Sequence, residues 1–277
     1  MGMRITTNVA SINAQRTMVN SQREISKSFA QLSSGSRITK AADDAAGLGI
    51  SENLKSQIRS LSQAGRNAND GISMVQVAEG GLTETSNILT RMRELAIQAS
   101  SDTVGAEERK YVNGEVQQLK SEMQRISMTT RYGKTNLLDG ATPDYDIQVG
   151  INNNSFEDRI TFKASDIDGR IETLGVGDIE FGTKEGAQES LMAIDAAQGT
   201  VAGYRANLGA LQNRFQSTVE NLGVQHENLS AANSRIRDTD VAASASESAR
   251  NNILLQSSAS VLSQANQIPN LALKMIG

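Results

Sequence analysis

A seven-residue apolar repeat in the C-terminal half constrains this chain more than any other feature. Its members, seven positions apart without a break, are Ile194, Val201, Leu208, Phe215, Leu222, Leu229 and Ile236. No proline lies between Asp144 and Gln267. Such a repeat forms a narrow stripe that packs against other helices, so the sequence predicts one long coiled-coil helix. At about 1.5 Å per residue the helix is roughly 65 Å long.

Most of the remaining chain also has helical periodicity. We predict helices over residues 5–33, from Asp43 or Asp44 to about residue 100, from there to about residue 131, and over residues 241–275. Asp43 and Asp44 are interpreted as helix caps and not as a metal-binding or acid–base pair, because no histidine or third carboxylate is close in sequence. Pro269 is expected to kink or end the last helix.

A short segment between the helices has a different pattern. Apolar residues alternate with polar ones from Tyr145 to Ile151 and again from Ile160 to Ala164, with Asn152–Asn154 between them. This pattern predicts a β-hairpin within an insert at about residues 140–182.

The predicted fold class is therefore mainly α. It is an elongated antiparallel helical rod, a coiled-coil bundle with a small β-hairpin insert, in which the N- and C-terminal helices pair. We predict three parts: residues 1–42 and 238–277 as the terminal helices of an inner domain, and residues 43–237 as the helical rod that carries the insert.

Composition excludes several classes of function. The chain has 27 Lys and Arg against 31 Asp and Glu, which leaves no broad basic field for nucleic acid. With no cysteine and a single histidine, it offers no thiolate metal site and no catalytic triad. No segment has the ~18 uninterrupted apolar residues of a membrane span. We therefore predict that it is not an enzyme, binds no cofactor and does not insert into membranes.

The terminal helices pose a physical problem, because two isolated amphipathic helices bury little area and are marginal in water. We predict that both ends stay disordered until many copies pack side by side. The last helix also has no charged residue between Arg250 and Lys274. One hypothesis is that its neutral face lines a tube, and the alternative is an uncharged helix buried in a bundle. The candidates for the lining are Gln256, Ser260, Ser263, Gln264 and Gln267.

Several strings in the sequence resemble those of bacterial flagellins, over about residues 3–140 and 185–276. At the amino end they are Ile5–Asn8, Leu32–Ile38, Ala41–Ser51, Asn67–Ser73 and Arg91–Ala96, and at the carboxyl end Asp238–Asp240 and Gln264–Pro269. The resemblance implies a secreted subunit that polymerises with copies of itself into the extracellular flagellar filament and serves motility. It also implies that the paired terminal helices surround a central export channel.

The resemblance further implies a set of partners. Members of the family leave the cell partly unfolded through the flagellar type III export apparatus, with an export chaperone, and they assemble beneath a cap protein beyond hook-associated junction proteins. Arg91, Leu95 and Glu115 match positions at which family members contact the vertebrate innate receptor for flagellin. We expect contact between subunits to be their primary role, with receptor recognition as a by-product.

Two other functions fit parts of the sequence. A hook–filament junction protein shares the terminal strings but does not polymerise readily by itself. A helical signalling rod has similar heptads but gives no account of the β insert. Seeded polymerisation separates the three, because only a filament subunit regrows on filament fragments.

Overall fold

The computed structural model describes residues 7–276 of the chain, with side chains for residues 7–267. Five helices and four short strands lie in this range. In chain order they are α1 Val9–Ser34, α2 Ala45–Ala99, α3 Ala106–Thr129, β1 Arg131–Tyr132, β2 Thr135–Asn136, β3 Tyr145–Gln148, β4 Arg159–Phe162, α4 Lys184–Arg237 and α5 Val241–Ile276. The mainly α class with a small β-hairpin is confirmed.

The chain divides into two compact units. The terminal unit comprises Met1–Ser56 and Asn228–Gly277, and the central unit comprises Gln57–Glu227. The boundaries predicted from the sequence, after residues 42 and 237, fall at breaks between helices. The two units instead divide within α2 and within α4.

Polar contacts fix the helix directions in the central unit. Near the α2–α3 turn, Arg109 Nε donates to the Ala99 carbonyl at 2.9 Å, and further from the turn Arg91 pairs with Glu115. Arg93 Nε bonds Asp195 Oδ1 at 2.7 Å across to α4. Residue numbers rise along α3 as they fall along α2, so these two helices are antiparallel as predicted.

The core of the central unit lies between α2, α3, α4 and the insert. Five members of the seven-residue repeat are buried there: Ile194, Val201, Leu208, Phe215 and Leu222. Two glycines of α2 allow the close packing. A Cβ on Gly71 would lie 2.8 Å from Cζ of Phe215, and one on Gly81 would lie 2.6 Å from Oγ1 of Thr130. Gly65 and Gly80 face open space.

The insert contains the predicted hairpin. Strands β3 and β4 pair antiparallel, with Tyr145 opposite Phe162 and Gln148 opposite Arg159. A second hairpin, β1–β2, was not predicted and has strands of only two residues each. Its turn uses Gly133 at a φ of 62°, a conformation that glycine adopts without steric cost. The insert is joined to α3 through the buried Lys120, whose ammonium donates to the carbonyls of Gly177 and Ile179.

In the terminal unit α1 and α5 pack against each other, which confirms the predicted pairing. Asn8 Nδ2 donates to the Ala265 carbonyl at 2.8 Å, and at the other end Thr239 N donates to the Gly35 carbonyl at 3.0 Å. The pair is therefore antiparallel. α5 does not end at Pro269 but continues to Ile276, because a proline removes one backbone donor without having to terminate the helix. None of the helices within residues 7–276 combines the length and hydropathy that crossing a membrane requires.

Candidate functional site

The α1–α5 seam is a regular heptad contact. The buried and half-buried residues on its two sides recur at alternating spacings of three and four residues. On α1 they are Ser11, Ala14, Met18, Ser21, Ile25, Ser28 and Leu32. On α5 they are Ser244, Ser248, Asn251, Leu255, Ser258, Leu262 and Ala265. Nine of these positions hold Ser, Asn or Ala, so the seam buries little apolar surface for its length.

Larger apolar residues of both helices lie outside this seam. On α1 the exposed ones are Val9, Ile12, Val19 and Phe29, and on α5 they are Val241, Ile253, Leu254 and Val261. Ile12 and Val19 are seven residues apart and share one face of α1, and Leu254 and Val261 do so on α5. The sequence pattern had suggested one apolar stripe on each terminal helix. The structure instead separates a small-residue seam from exposed apolar flanks that no intrachain element covers among the described residues.

The five channel candidates occupy one exposed face of α5. Gln256, Ser260, Ser263, Gln264 and Gln267 are all exposed. Their heptad positions place them opposite the seam, next to the flank that carries Leu254 and Val261. This face holds no charge from Gln256 to Gln267, because no charged residue lies between Arg250 and Lys274. It is a neutral, hydrogen-bonding surface that water can wet without attracting either sign of charge.

Asp43 and Asp44, the two predicted caps in the loop before α2, have different roles. Asp44 Oδ1 accepts from Gly47 N at 2.8 Å and so caps the first turn of α2. Asp43 instead closes the preceding turn, because its Oδ2 accepts from Lys40 N at 2.9 Å and from Thr39 Oγ1 at 2.9 Å. These bonds, the one from Lys40 first, hold the pKa of Asp43 below its ordinary value.

Sequence reasoning missed the polar contacts that join the two chain breaks of the terminal unit. Ser36 pairs with Asp238 in an isolated antiparallel β-bridge, and Arg37 Nη2 donates to the Ile236 carbonyl at 2.7 Å. Arg237 Nη1 reaches Glu52 Oε1 of α2 at 2.5 Å. In the sequence, Arg37 lies in the break after α1 and Arg237 lies just before the break after α4. Only the fold shows that the two breaks meet.

The predicted contact group on α2 and α3 is brought together only in part. Arg91 Nη2 lies 2.9 Å from Glu115 Oε1, and its Nη1 lies 3.0 Å from Glu94 Oε2. Hydrogen bonds to Glu94 and to Glu115, the one to Glu94 being the largest single cause, raise the pKa of Arg91. Leu95 is only 2 % exposed and belongs to the core. Arg91 and Glu115 thus form an exposed ion pair, whereas Leu95 is part of the core.

Nothing in this geometry suggests bound metal. Over residues 7–267, no three His, Cys, Asp or Glu side chains cluster closely enough to hold a metal ion. The surfaces that stand out are those that another polypeptide would cover.

Comparison with known proteins identifies the family. The model of the bacterial flagellin N-terminal helical region matches residues 5–142, and that of the C-terminal helical region matches residues 191–276. The chain is 43% identical over 274 residues to a flagellin of Halalkalibacterium halodurans, covering 99% of this chain and all of the relative. It is 39% identical over 307 residues to a flagellin of Bacillus subtilis, with the same two shares covered.

Two further matches agree. The flagellar filament 33 kDa core protein of Treponema phagedenis is 37% identical over 285 residues, covering 99% of this chain and all of that protein. The crystal structure of Bacillus cereus flagellin superposes with a TM-score of 0.51 at 29% identity, covering 61% of this chain and 94% of that one. The paired terminal helices, the helical core with its hairpin and these matches together place the chain in the bacterial flagellin family, as a structural subunit of the flagellar filament.

Proposed function

We propose that the filament forms when the exposed apolar flanks of α1 and α5 are buried between neighbouring copies of the chain. The observation that carries the proposal is the contrast in the terminal unit, where a seam of small and polar residues joins the pair while Ile12, Val19, Leu254 and Val261 stay exposed. Full burial of such a side chain contributes about 1.5–3 kcal/mol. The gain from neighbours therefore exceeds what the seam alone offers.

The same contrast explains why the ends order on assembly. Fixing the backbone of one residue costs about 1–2 kcal/mol at room temperature, and a seam rich in serine offsets little of that cost. Each helix pair therefore stays weakly folded in a free subunit and becomes stable when further copies cover its flanks. A weak pair also suits export in a partly unfolded state.

In the assembled filament the neutral face of α5 lines an axial channel. Gln256, Ser260, Ser263, Gln264 and Gln267 hydrogen-bond to water and carry no charge, so an exported chain of either sign passes without being held. The apolar flank beside them points towards the neighbouring copies. The filament and its subunits then lie outside the cell.

Membership of the family supports a set of further partners. They are the type III export apparatus, an export chaperone, the cap protein and the hook-associated junction proteins. Arg91 and Glu115 form a charged surface for contact between subunits, and the vertebrate innate receptor meets the same surface on free subunits.

Seeded polymerisation of purified subunits tests the central claim. Ile12→Asp and Val19→Asp each place a charge in the apolar flank of α1, so we expect regrowth on filament fragments to be lost. Thermal unfolding of the central unit should not change, because neither residue belongs to it. Asn20→Asp adds the same charge at an exposed position whose heptad equivalents, Asn13 and Lys27, are also polar, and it should polymerise normally. Normal regrowth of both flank variants would contradict the proposal.

A further inference from the structure

The most exposed large apolar side chain of the described residues lies in the central unit, at the tip of the β3–β4 hairpin. Phe156 is 91 % exposed. The chain has only five phenylalanines, and Phe162, Phe181 and Phe215 are fully buried. Burial of an aromatic side chain removes more apolar surface from water than burial of most other residues, and Phe156 does not make this stabilising contribution. Its position therefore calls for an occupant that covers it.

The loop around Phe156 is held in one shape before any partner arrives. The buried Asp158 accepts from Asn152 N at 3.2 Å and from Asn154 N at 3.0 Å. Phe156 N donates to Asn154 Oδ1 at 3.1 Å. Gly150 passes so close to Asp158 that no Cβ fits there. A preorganised loop loses little entropy on docking, so Phe156 is presented as a ready anchor.

A cavity that suits this anchor lies elsewhere on the same unit, between the end of β4 and α4. It has a volume of about 340 Å³, and its apolar floor includes Phe162, Ile167, Leu208 and Leu211. Arg214 is exposed at its edge. The residue after Phe156 is Glu157, which is also exposed. Arg214 and Glu157 both border the cavity beneath the loop, yet neither forms an ion pair within the described part of the chain. The aromatic and the acid of the loop are therefore complementary to the apolar floor and the base of the docking cavity.

We propose that, in the filament, the Phe156–Glu157 loop of one copy docks into the Phe162–Leu208 cavity of a neighbouring copy. Phe156 fills the apolar floor and Glu157 pairs with Arg214. The inference depends on self-assembly of the chain and assigns one of its contacts to the central unit. A protruding loop and a cavity at different places on one surface form a head-to-tail contact between copies. Such a contact builds an open helical polymer when the rotation between copies does not close a ring.

The cavity and the loop are offset along α4, which gives the contact a direction. Across another cavity the loop faces α4 residues centred near Thr218, whereas the docking cavity is centred near Leu208, and Arg214 borders both cavities. At about 1.5 Å per residue this separation is roughly 15 Å along the helix. Neighbours joined by this contact should be staggered by about that distance along the α4 axis.

Polymerisation of charge-swapped subunits tests the ion pair. Glu157→Arg and Arg214→Glu should each raise the critical concentration for growth on wild-type seeds by about 10-fold or more, and the double variant should recover most of the loss. Phe156→Ala should raise it by about 30-fold, typical of a buried aromatic anchor. Glu180→Arg, an equivalent reversal elsewhere on the insert, should polymerise normally.

Crosslinking locates the contact directly, because the chain has no cysteine of its own. Phe156→Cys combined with Ala210→Cys at the cavity should give subunit ladders when filaments are oxidised, and none in dilute monomers. Phe156→Cys with Ala196→Cys, about 21 Å further along α4, is the matched control.

The outcomes separate this contact from the function itself. Filaments in which Phe156→Ala grows normally and the cavity pair does not crosslink overturn the docking but leave assembly through α1 and α5 intact. Such a result assigns Phe156 to a partner other than a second copy. Wild-type subunits that fail to regrow on seeds overturn both proposals.

Discussion

The central and terminal units are built from similar long helices, but they fill their heptad positions differently. In the central unit the repeat of α4 places Leu208 and Phe215 in a core where both are fully buried or nearly so. In the terminal unit nine of the fourteen seam positions hold serine, asparagine or alanine, and the last two members of the α4 repeat, Leu229 and Ile236, are only half-buried. The comparison teaches that heptad spacing sets which residues face a partner, whereas side-chain size sets how much the contact stabilises.

The difference matches two tasks in one subunit. A core filled by large residues folds within a single chain, because burial of apolar area offsets the loss of conformational entropy. A seam of small residues leaves helices that need neighbours. The central unit is thus the part that carries its own stability, and the terminal unit is the part that converts assembly into order.

The largest expected effect is the difference in stability loss between removing an aromatic side chain from the central unit and removing one from the terminal unit. Phe215→Ala deletes a fully buried side chain and should lower the free energy of unfolding of the monomer by about 3–5 kcal/mol. Phe29→Ala removes a side chain that is 58 % exposed on α1 and should change it by less than about 0.5 kcal/mol. Chemical denaturation of monomers measures both. Equal losses from the two variants would erase the distinction between the units.

A smaller effect is expected at Asp168, which closes the irregular part of the insert. Burial pushes the pKa of Asp168 up, but hydrogen bonds from Arg170 and Thr173 outweigh it and hold the pKa below its ordinary value. Asp168→Asn should cost about 1–3 kcal/mol at neutral pH, because these donors lose a charged acceptor.

The pH dependence of that effect has a definite sign. A lowered folded-state pKa stabilises the protein above the unfolded pKa, near 3.9, and this contribution disappears as the pH falls through the folded value. The gap in unfolding free energy between the wild type and Asp168→Asn should therefore be constant near neutrality and narrow in acid below about pH 3.9. Parallel urea titrations across this range measure it, and a gap that widens in acid is the opposite of the expectation.

Two adjacent glycines of α2 test how tightly the central unit is packed. Gly81→Ala drives a Cβ into Thr130 and Leu138 and should destabilise the monomer by about 1–3 kcal/mol. Gly80→Ala meets open space and should stabilise it by about 0.8–1 kcal/mol through helix propensity. Thermal unfolding should show shifts of opposite sign, and a loss of stability in both variants would refute this account.

The smallest expected effect lies in the terminal seam. Ser28→Ala at a buried seam position should raise the protection of α1 amides from exchange in the monomer by less than about tenfold, because burying a hydroxyl costs more than burying a methyl group. Ser26→Ala changes helix propensity equally but lies on the exposed side. The difference between the two variants isolates the seam, and identical protection would mean that serine does not weaken it.

Much of the fold could be predicted from local signals. α4 begins at Lys184 and ends at Arg237, as its repeat and the following Asp238–Asp240 break indicated. The β3–β4 hairpin followed from strict alternation on both sides of an asparagine-rich turn. The β1–β2 hairpin was missed because two-residue strands carry no periodicity that a pattern can detect.

The candidate site was predictable only in part. Arg91 and Glu115 were named as contact candidates from the resemblance, and the structure shows that they form an ion pair. The burial of Leu95 was not foreseen, because α2 packs against more than one neighbour and one stripe does not describe its buried surface. The exposure of Phe156 could not be predicted either, because an isolated aromatic residue in a turn gives no periodic pattern.

The sequence by itself determined the helical elements, their breaks, the hairpin and the family, because these depend on the periodicity and identity of residues close along the chain. Only the tertiary structure decided which apolar residues each helix buries, where the Phe156 loop and its cavity lie, and that the breaks after α1 and α4 meet. Burial and proximity depend on residues more than a hundred positions apart, and their distances are set by how whole helices pack.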